Sequence, residues 1–285
     1  PAPRLVLAGR PVAIIGGHLS YFGIQATGEV ECRAAVRQLV KEGADFIKIT
    51  ATAGSTRTSV RGRPSFTTEE LKAICDEAHK FGKHAAAHCS SSQGMLNALD
   101  AGIDTVIHAI HQEPDGTNRY RREITEQIVK QGALVNATLH QGQTKIDGLE
   151  HLRESEGLGE EEQRELDTLR AGKEVRLEHV ATMRSEGVTL VCGSDSSWSV
   201  YPMGNFQGEI EAHVEVGVSP MEAIVSATSD SARSCWTDDH VGTLEPGKQA
   251  DVLVVDGDPS EDITALRNVA DVFLGGDLVD RENYV

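Results

Sequence analysis

Several features that would place this chain in a familiar class are absent from it. Only five of its 285 residues are cysteines, and no two of them form a Cys-x-x-Cys pair. Their odd number and wide spacing favour reduced thiols in a cytoplasmic protein over a disulfide framework. No apolar run approaches the roughly 20 residues that a transmembrane helix needs. No signal peptide opens the chain, but Pro1 reads as an interior residue, so this absence says little about the parent product.

Positive charge is also scarce. The chain has 27 Lys and Arg residues against 44 Asp and Glu residues, which gives a formal net charge of -17. Nucleic acid and anionic membrane surfaces would repel such a chain, so neither is expected as a partner. Much of the negative charge falls within residues 154–167, and a well-solvated surface explains it. The hydrophobic fraction of 39% is that of an ordinary globular protein with a sizeable core.

The chain does contain a series of short apolar runs, four of which end in a side chain suited to metal chemistry. These four residues are Lys48, His88, His108 and Asp195. Stretches with helical spacing separate the runs, a pattern that predicts strand–helix units of a parallel sheet. Active sites of (β/α) barrels lie at the carboxyl ends of the strands. We therefore expect these side chains to share one end of an α/β barrel.

The alternation predicts six strand–helix units, whereas a complete barrel has eight. Strands are predicted at residues 11–18, 45–49, 84–88, 104–108, 133–138 and 188–195. Helices are predicted at 29–42, after a cap at Thr67 or Thr68, near 91–101, at 121–131, within 142–187, and after a cap at Ser219. The shortfall lies at the amino end of the chain.

The pattern changes after Asp195. Residues 269–279 alternate like a strand, and Gly275-Gly276 supplies a hairpin turn. We therefore expect a barrel unit at residues 1–238 and the C-terminal part of a small β-sandwich at residues 239–285.

The ordered motifs resemble those of the amidohydrolase superfamily, in particular its imidazolonepropionase-like and prolidase-like metal-dependent dipeptidases. The matching segments are Gly16-Gly17-His18, residues 43–49, Ala86-Ala87-His88, residues 101–108, Gly193-Ser194-Asp195-Ser196 and residues 242–254. The resemblance implies a TIM-type (β/α) barrel whose third strand carries the Gly-Gly-His segment. No His-x-His pair precedes Lys48, although such a pair opens sites of this kind. The chain is thus expected to correspond to the carboxy-terminal portion of such an enzyme, without the first two strands.

The resemblance also implies a site with one or two divalent metal ions, expected to be zinc. Lys48 would be a carbamate that bridges the metals, His88 and His108 would bind one of them, and Asp195 would be both a ligand and the general base. Judged on the residues alone, Lys48 is equally well a lysine that snorkels out of a strand, and each histidine fits an ordinary core position. A buried lysine with a depressed pKa can nevertheless capture carbon dioxide.

Three further residues are candidate substrate contacts. His18 follows two glycines, where a backbone can approach a ligand closely, and we assign it a catalytic or substrate-binding contact. His140 follows a predicted strand, and a substrate contact and a structural role are equally balanced for it. Arg57 lies in a Gly/Ser/Thr/Arg-rich loop and could clamp a substrate carboxylate, although a solvated side chain is the simpler interpretation.

These expectations predict a metal-dependent hydrolase that cleaves an amide C–N bond, in a dipeptide or an N-acyl amino acid, through a metal-activated hydroxide. Two alternatives remain open. The chain could be a non-catalytic fragment or binding protein that needs a partner segment, or a cyclic amidohydrolase that acts on an imidazolone or a lactam. An incomplete barrel exposes sheet edges and apolar interior, so a homo-oligomer is expected.

Overall fold

A parallel sheet forms the centre of the molecule. The computed structural model describes residues 3–196 and 202–281, so the predicted outer limits at residues 1 and 285 lie outside the described residues. The strands of the main sheet are β1 (Val12–Ala13), β2 (Ile24–Gln25), β3 (Ile47–Thr50), β4 (Ala85–His88), β5 (Thr105–Ile107), β6 (Leu134–Asn136) and β7 (Leu190–Val191). Their order in the sheet is β2-β1-β3-β4-β5-β6-β7.

Helices connect these strands and follow the last of them. They are α1 (Gly28–Glu42), α2 (Thr68–Lys80), α3 (Ser92–Asp100), α4 (Arg122–Gln131), α5 (Gln143–Ser155), α6 (Glu160–Ser185), α7 (Phe206–Glu215), α8 (Pro220–Val225) and α9 (Ser231–Ser234). A π-helical turn at Ser226–Asp230 joins the last two. Within the described ranges, no helix combines the length and the apolar character needed to cross a membrane.

The helix boundaries follow local sequence signals. The Thr67 hydroxyl accepts a hydrogen bond from the Glu70 backbone N–H, and the Glu70 carboxylate accepts one from the Thr67 N–H. Ser219 and Glu222 form the same reciprocal capping box ahead of α8, with Pro220 in its first turn. Such caps satisfy N–H groups that have no partner within the helix. The predicted caps at Thr67 and Ser219 are therefore confirmed.

Successive side chains along β3 alternate between a face of the sheet that packs on helices and the opposite face. Ile47 and Ile49 of β3 are fully buried in the cluster that includes Val36 and Leu71 of the covering helices. Because successive side chains of a strand point to opposite faces, Lys48 lies on the other face of β3. Thr50 is in register with His88 on the neighbouring strand. The sheet therefore packs one face on helices and leaves the opposite face to polar chemistry.

One strand of the main sheet was not predicted. β2 pairs in parallel with β1, and the Ile24 N–H donates to the carbonyl of Pro11 at 2.9 Å. The expected count of six strands is therefore wrong for this sheet. β2 and β7 are its two edges, so the sheet is open among the described residues.

A second, antiparallel sheet lies towards the end of the chain. It contains β8 (Val252–Val255), β9 (Val269–Leu274) and β10 (Asp277–Leu278), in the order β10-β9-β8. Gly275 and Gly276 connect the last two strands with φ angles of 62° and 91°, which glycine adopts readily. The predicted hairpin is thus confirmed, whereas a domain boundary between residues 238 and 239 stays a prediction.

Candidate metal and substrate site

Three histidines meet at the carboxyl ends of the strands. The ring centroids of His18 and His88 are 4.6 Å apart, and those of His88 and His108 are also 4.6 Å apart. His18 and His108 are buried, and His88 is half-buried. They come from the loop after β1, the end of β4 and the end of β5. The structure therefore brings the two predicted metal ligands together with the predicted substrate contact.

Each of these rings is anchored through one nitrogen. His88 Nε2 donates to the carbonyl oxygen of Ala53 at 3.1 Å. His108 Nδ1 lies 2.8 Å from the Thr138 hydroxyl, and His18 Nδ1 lies 3.2 Å from the Thr56 hydroxyl. Metal-binding histidines are commonly held in this way through the nitrogen that does not face the metal. Among the described residues, this arrangement leaves Nδ1 of His88 and Nε2 of His108 without a hydrogen-bond partner.

The electrostatic surroundings keep all three imidazoles neutral. Burial, together with the nearby charge of Lys48, lowers the pKa of His18 to about 4. The same two causes, with a contribution from His18, lower the pKa of His88 to about 3. Burial also brings the pKa of His108 well below its usual value. Neutral imidazole is the form that binds metal ions, so the cluster has the required protonation state at pH 7.

Lys48 occupies the same end of the sheet with an unusual amine. Burial lowers its pKa to about 8, while the charges of Asp195 and Cys89 act in the opposite direction. Within residues 3–196 and 202–281, its Nζ forms no hydrogen bond and no ion pair. Desolvation favours the neutral form of a lysine, and at half-buried Lys48 it outweighs the charge of Asp195. The amine is therefore prepared for chemistry that an ordinary surface lysine does not perform at neutral pH.

Asp195 lies just beyond β7 and is exposed on one side. Gln141 Nε2 donates to its Oδ2 atom at 2.6 Å. Partial desolvation raises the pKa of Asp195, and the charge of Lys48 opposes this shift. The carboxylate is thus held by an amide and lies within the electrostatic reach of Lys48, as a residue at the same strand end should.

Left-handed backbone conformations concentrate at this end of the sheet. Among the described residues other than glycine, positive φ angles occur at Leu19, His108, Ala109, Thr138, Asp195 and Trp236. The first five lie in the loops that follow β1, β5, β6 and β7. Such conformations are sparsely populated for residues with a Cβ and persist only where the surrounding structure holds them. The loops at this end of the sheet therefore hold backbone conformations that the rest of the structure must stabilise.

Two glycines allow close approach to the histidines. A Cβ atom added at Gly54 would lie 2.3 Å from Nε2 of His18. A Cβ atom added at Gly208 would lie 2.6 Å from Cε1 of His140. Both distances are far below van der Waals contact, so these positions require glycine for the rings to lie where they do.

The remaining predicted contacts differ in their surroundings. His140 is half-buried in the loop after β6, and burial lowers its pKa. Arg57 is exposed, and the described part of the chain offers its guanidinium no hydrogen bond or ion pair. Its neighbour Thr56 contacts His18. The loop that carries Arg57 therefore borders the cluster, although no hydrogen bond or ion pair joins Arg57 to it within the described ranges.

Sequence reasoning missed two charged residues that contact the loops of the site. Arg176 on α6 donates through Nη2 to the carbonyl oxygens of His108, at 3.0 Å, and of Ala137. Glu209 on α7 is fully buried and accepts hydrogen bonds from the backbone N–H groups of Leu139 and His140. A charged residue within an amphipathic helix gives no local signal of such contacts.

The donor set fits one metal ion in its chemistry. His88 and His108 are neutral, adjacent and anchored through their second nitrogens, and Lys48 lies beside them. Within the described ranges, no group of three or more His, Cys, Asp or Glu side chains forms a complete metal-binding set. Two neutral imidazoles and the adjacent Lys48 amine are therefore the groups of the described chain that fit a metal ion.

Known proteins are similar to this chain in sequence and in fold. The chain matches the profile of the Amidohydrolase family over residues 2–279. Ochratoxinase from Aspergillus niger is 29% identical over 259 residues, which are 89% of this chain and 50% of that protein. A crystal structure of a Xaa-Pro dipeptidase with bound methionine in the active site matches with a TM-score of 0.81 and 28% identity, over 98% of this chain and 68% of that one. The crystal structure of A. niger ochratoxinase matches with a TM-score of 0.77 and 25% identity, over 95% of this chain and 64% of that one.

The chain spans about half the length of the curated relatives that it matches. The structural likeness extends over nearly all of its residues and confirms the predicted fold class, a TIM-type (β/α) barrel accompanied by part of a small β domain. Since the family profile covers almost the whole sequence, the chain belongs to the amidohydrolase family.

Proposed function

We propose that this chain is the metal-binding portion of a hydrolase that cleaves the amide C–N bond of a dipeptide or an N-acyl amino acid. The observation that carries the proposal is the neutral, anchored pair His88 and His108 beside Lys48, an amine without a partner among the described residues. Buried polar groups are normally satisfied by the protein itself, so groups left for a ligand point to a binding role. The dipeptidase and ochratoxinase relatives favour an amide substrate.

His88, His108 and a carbamate on Lys48 would hold one divalent ion, which we assign as zinc because imidazole nitrogen is among its usual ligands. Asp195 and the modified Lys48 are the residues of this chain that would hold a second ion. When bound, such an ion supplies Lewis acidity towards a carbonyl oxygen and lowers the pKa of water to about 7.

Lys48 prepares the site through its depressed pKa. With a pKa of about 8, a substantial share of its amine is neutral at pH 7 to 8. The neutral nitrogen attacks carbon dioxide, a C–N bond forms, and one proton is released to solvent. The product is an anionic carbamate with two oxygen donors. An ordinary lysine with a pKa near 10.4 would offer far less of the reactive form.

Asp195 moves the proton of the hydrolytic reaction. Its carboxylate takes a proton from the attacking water and delivers it to the nitrogen of the leaving amine as the C–N bond breaks. Gln141 orients the carboxylate through its hydrogen bond to Oδ2. His18 contacts the reacting carbonyl group, and Thr56 fixes the orientation of its ring.

His140 and Arg57 recognise the remainder of the substrate. His140 lies in the loop after β6, and the forked guanidinium of Arg57 suits a carboxylate. A dipeptide and an N-acyl amino acid both carry a carboxylate next to the scissile amide. A guanidinium that is unpaired within the described ranges, in a loop that borders His18, supports this assignment.

We also propose that the enzyme is cytoplasmic and that it forms a homo-oligomer. The cysteines at positions 32, 75, 89, 192 and 235 are free thiols, which supports a cytoplasmic location. The open edges of β2 and β7 in the described sheet support self-association into a homo-oligomer.

The decisive experiment measures metal stoichiometry per chain by elemental mass spectrometry, followed by turnover of a dipeptide panel and a lactam panel. One or two zinc ions per chain with turnover of dipeptides or N-acyl amino acids is the expected result. Metal with turnover of lactams or imidazolones alone would reassign the substrate class. A chain that binds no metal at micromolar zinc would contradict the proposal and leave a non-catalytic member of the family.

A further inference from the structure

We propose that Arg176 and Glu209 are positioning residues that fix the turn after β6, residues 137–140, from its two sides. Through this turn they would set the orientation of the His108 and His140 imidazoles. The consequence for catalysis rests on the proposed function, whereas the structural effect on the turn does not depend on it.

The backbone conformation of this turn is energetically unfavourable. Thr138 has a φ angle of 48°, and His108 and Ala109 on the adjacent loop have φ angles of 70° and 54°. A β-branched residue is disfavoured in the left-handed region because its Cβ substituents crowd the backbone. Neighbouring groups must therefore hold this conformation in place.

Arg176 holds the carbonyl side of the turn. Its Nη2 atom donates to the carbonyl oxygen of His108 at 3.0 Å, contacts that of Ala137, and lies 3.4 Å from the Thr138 hydroxyl. Burial lowers the pKa of Arg176 to about 10, which still leaves the guanidinium charged at pH 7. One cation from α6 thus ties the end of β5 to the end of β6.

Glu209 holds the amide side of the same turn. Its Oε1 atom accepts from the Leu139 N–H at 2.8 Å, and its Oε2 atom accepts from the His140 N–H at 2.7 Å. Each carboxylate oxygen therefore serves one amide of the turn. Burying a carboxylate is costly unless it is hydrogen-bonded and compensated by charge. Burial raises the pKa of Glu209 to about 7, while the two amides and the charge of Arg176 act in the opposite direction and favour the carboxylate.

The two contacts are complementary. A cation binds carbonyl oxygens and an anion binds N–H groups, so both hydrogen-bonding directions of the turn are satisfied without a pairing strand. The turn so fixed carries the Thr138 hydroxyl that touches His108 Nδ1, and it carries His140 itself. Arg176 and Glu209 contact only the backbone and the Thr138 hydroxyl, not the imidazole rings of His108 and His140. We therefore assign them a positioning role.

The test uses Glu209→Gln in the full chain, with Glu215→Gln as the matched control. Glutamine keeps the shape of Glu209 but places an NH2 group against one backbone N–H. Glu215 lies on the same helix and forms a surface ion pair with Lys173 at 3.0 Å, so its substitution removes a charge without touching the turn. Residue-resolved hydrogen exchange reports the turn, and denaturant unfolding reports global stability.

In Glu209→Gln, the amides of Leu139 and His140 should exchange about tenfold to a hundredfold faster than in wild type. This exchange should occur by local opening, whose free energy stays below that of global unfolding. Exchange in α1 and β3 should be unchanged. The kcat for the best amide substrate should fall at least about tenfold with metal content preserved. Glu215→Gln should behave as wild type in all three measurements.

Unchanged exchange at residues 137–140, or acceleration spread evenly over the chain, would overturn the proposal. Should Glu209→Gln fail to fold, Arg176→Lys provides the second test, because a lysine keeps the charge but cannot span both carbonyl groups in the same way. It should accelerate exchange at the same turn. If wild-type protein hydrolyses no amide, the exchange measurements still decide the role of the two residues independently of the proposed function.

Discussion

The Nδ1 atom of His108 lies 2.8 Å from the hydroxyl of Thr138, a residue at the exit of the neighbouring strand. The contact fixes the ring of one predicted metal ligand through a residue that is itself in a left-handed conformation. The orientation of the His108 ring therefore depends on the loop after β5, which carries it, and on the loop after β6, which carries Thr138. A change at Thr138 should reach the metal site without altering any ligand.

Thr138→Val should weaken zinc binding by about tenfold to a hundredfold, because the hydroxyl that holds His108 is lost while the shape of the side chain is kept. Competition with a chromophoric chelator measures this affinity. Thr125→Val is the matched control. The Thr125 hydroxyl is also buried and lies 2.7 Å from the Tyr120 hydroxyl, and neither residue belongs to the histidine cluster. Equal zinc affinity in the two variants would contradict the role given to Thr138.

Lys48→Met should remove metal binding and yet stabilise the metal-free protein near pH 7. Burial lowers the pKa of Lys48 from 10.5 to about 8. The unfolded chain keeps its proton up to the ordinary pKa, whereas the folded protein releases it at about 8. The cost of burying the ammonium is therefore fully present below pH 8 and is relieved as the pH rises towards 10.5. The shift corresponds to about 3 kcal/mol.

Urea unfolding of chelator-treated, carbon dioxide-depleted protein from pH 7 to pH 10 measures this effect. The free energy of unfolding of wild type should rise relative to that of Lys48→Met across this window. Lys72→Met serves as the control, because Lys72 is exposed and forms only a surface pair with Asp76. A difference in unfolding free energy between wild type and Lys48→Met that stays constant from pH 7 to pH 10 would show that the buried amine does not titrate in this range.

The placement of the candidate site residues at one end of the sheet was predictable because they follow a rule of the fold. Lys48, His88, His108 and Asp195 each end an apolar run, and parallel strands place their carboxyl ends at one edge of the sheet. The rule needs only the order of strands along the chain. The tight contacts between the rings of His18, His88 and His108 are the physical outcome of that placement.

Other features were beyond sequence reasoning for physical reasons. β2 has two residues and no apolar run of its own, so periodicity could not reveal it. Arg176 contacts the carbonyl of His108 across 68 residues of sequence, and Glu209 contacts Leu139 across 70. Such contacts arise only from the packing of helices on strand exits. Their residue types, taken alone, are those of any amphipathic helix.

Asp195→Asn should lower kcat by about a hundredfold or more while leaving the fold intact, because an amide cannot take the proton from water. Burial raises the pKa of Asp195 in the metal-free chain, and a divalent ion bound to the carboxylate would lower it. Activity should fall as the pH drops through that pKa, since the protonated acid cannot act as a base. Asp167→Asn, which loses an exposed carboxylate paired with Gln163, should match wild type. Full activity of Asp195→Asn would exclude the assigned proton transfer.

Gly54→Ala should displace His18 and impair substrate binding without unfolding the protein. The added Cβ would lie 2.3 Å from Nε2 of His18, so either the ring or the loop must move. Because His18 is assigned to the substrate and not to the metal, KM should rise about tenfold or more while zinc stoichiometry stays as in wild type. Gly148→Ala is the control, since a Cβ at Gly148 in α5 would meet no atom within 4 Å. Steady-state kinetics with elemental analysis of both variants decides the matter, because loss of zinc from Gly54→Ala alone would place His18 in the metal site instead.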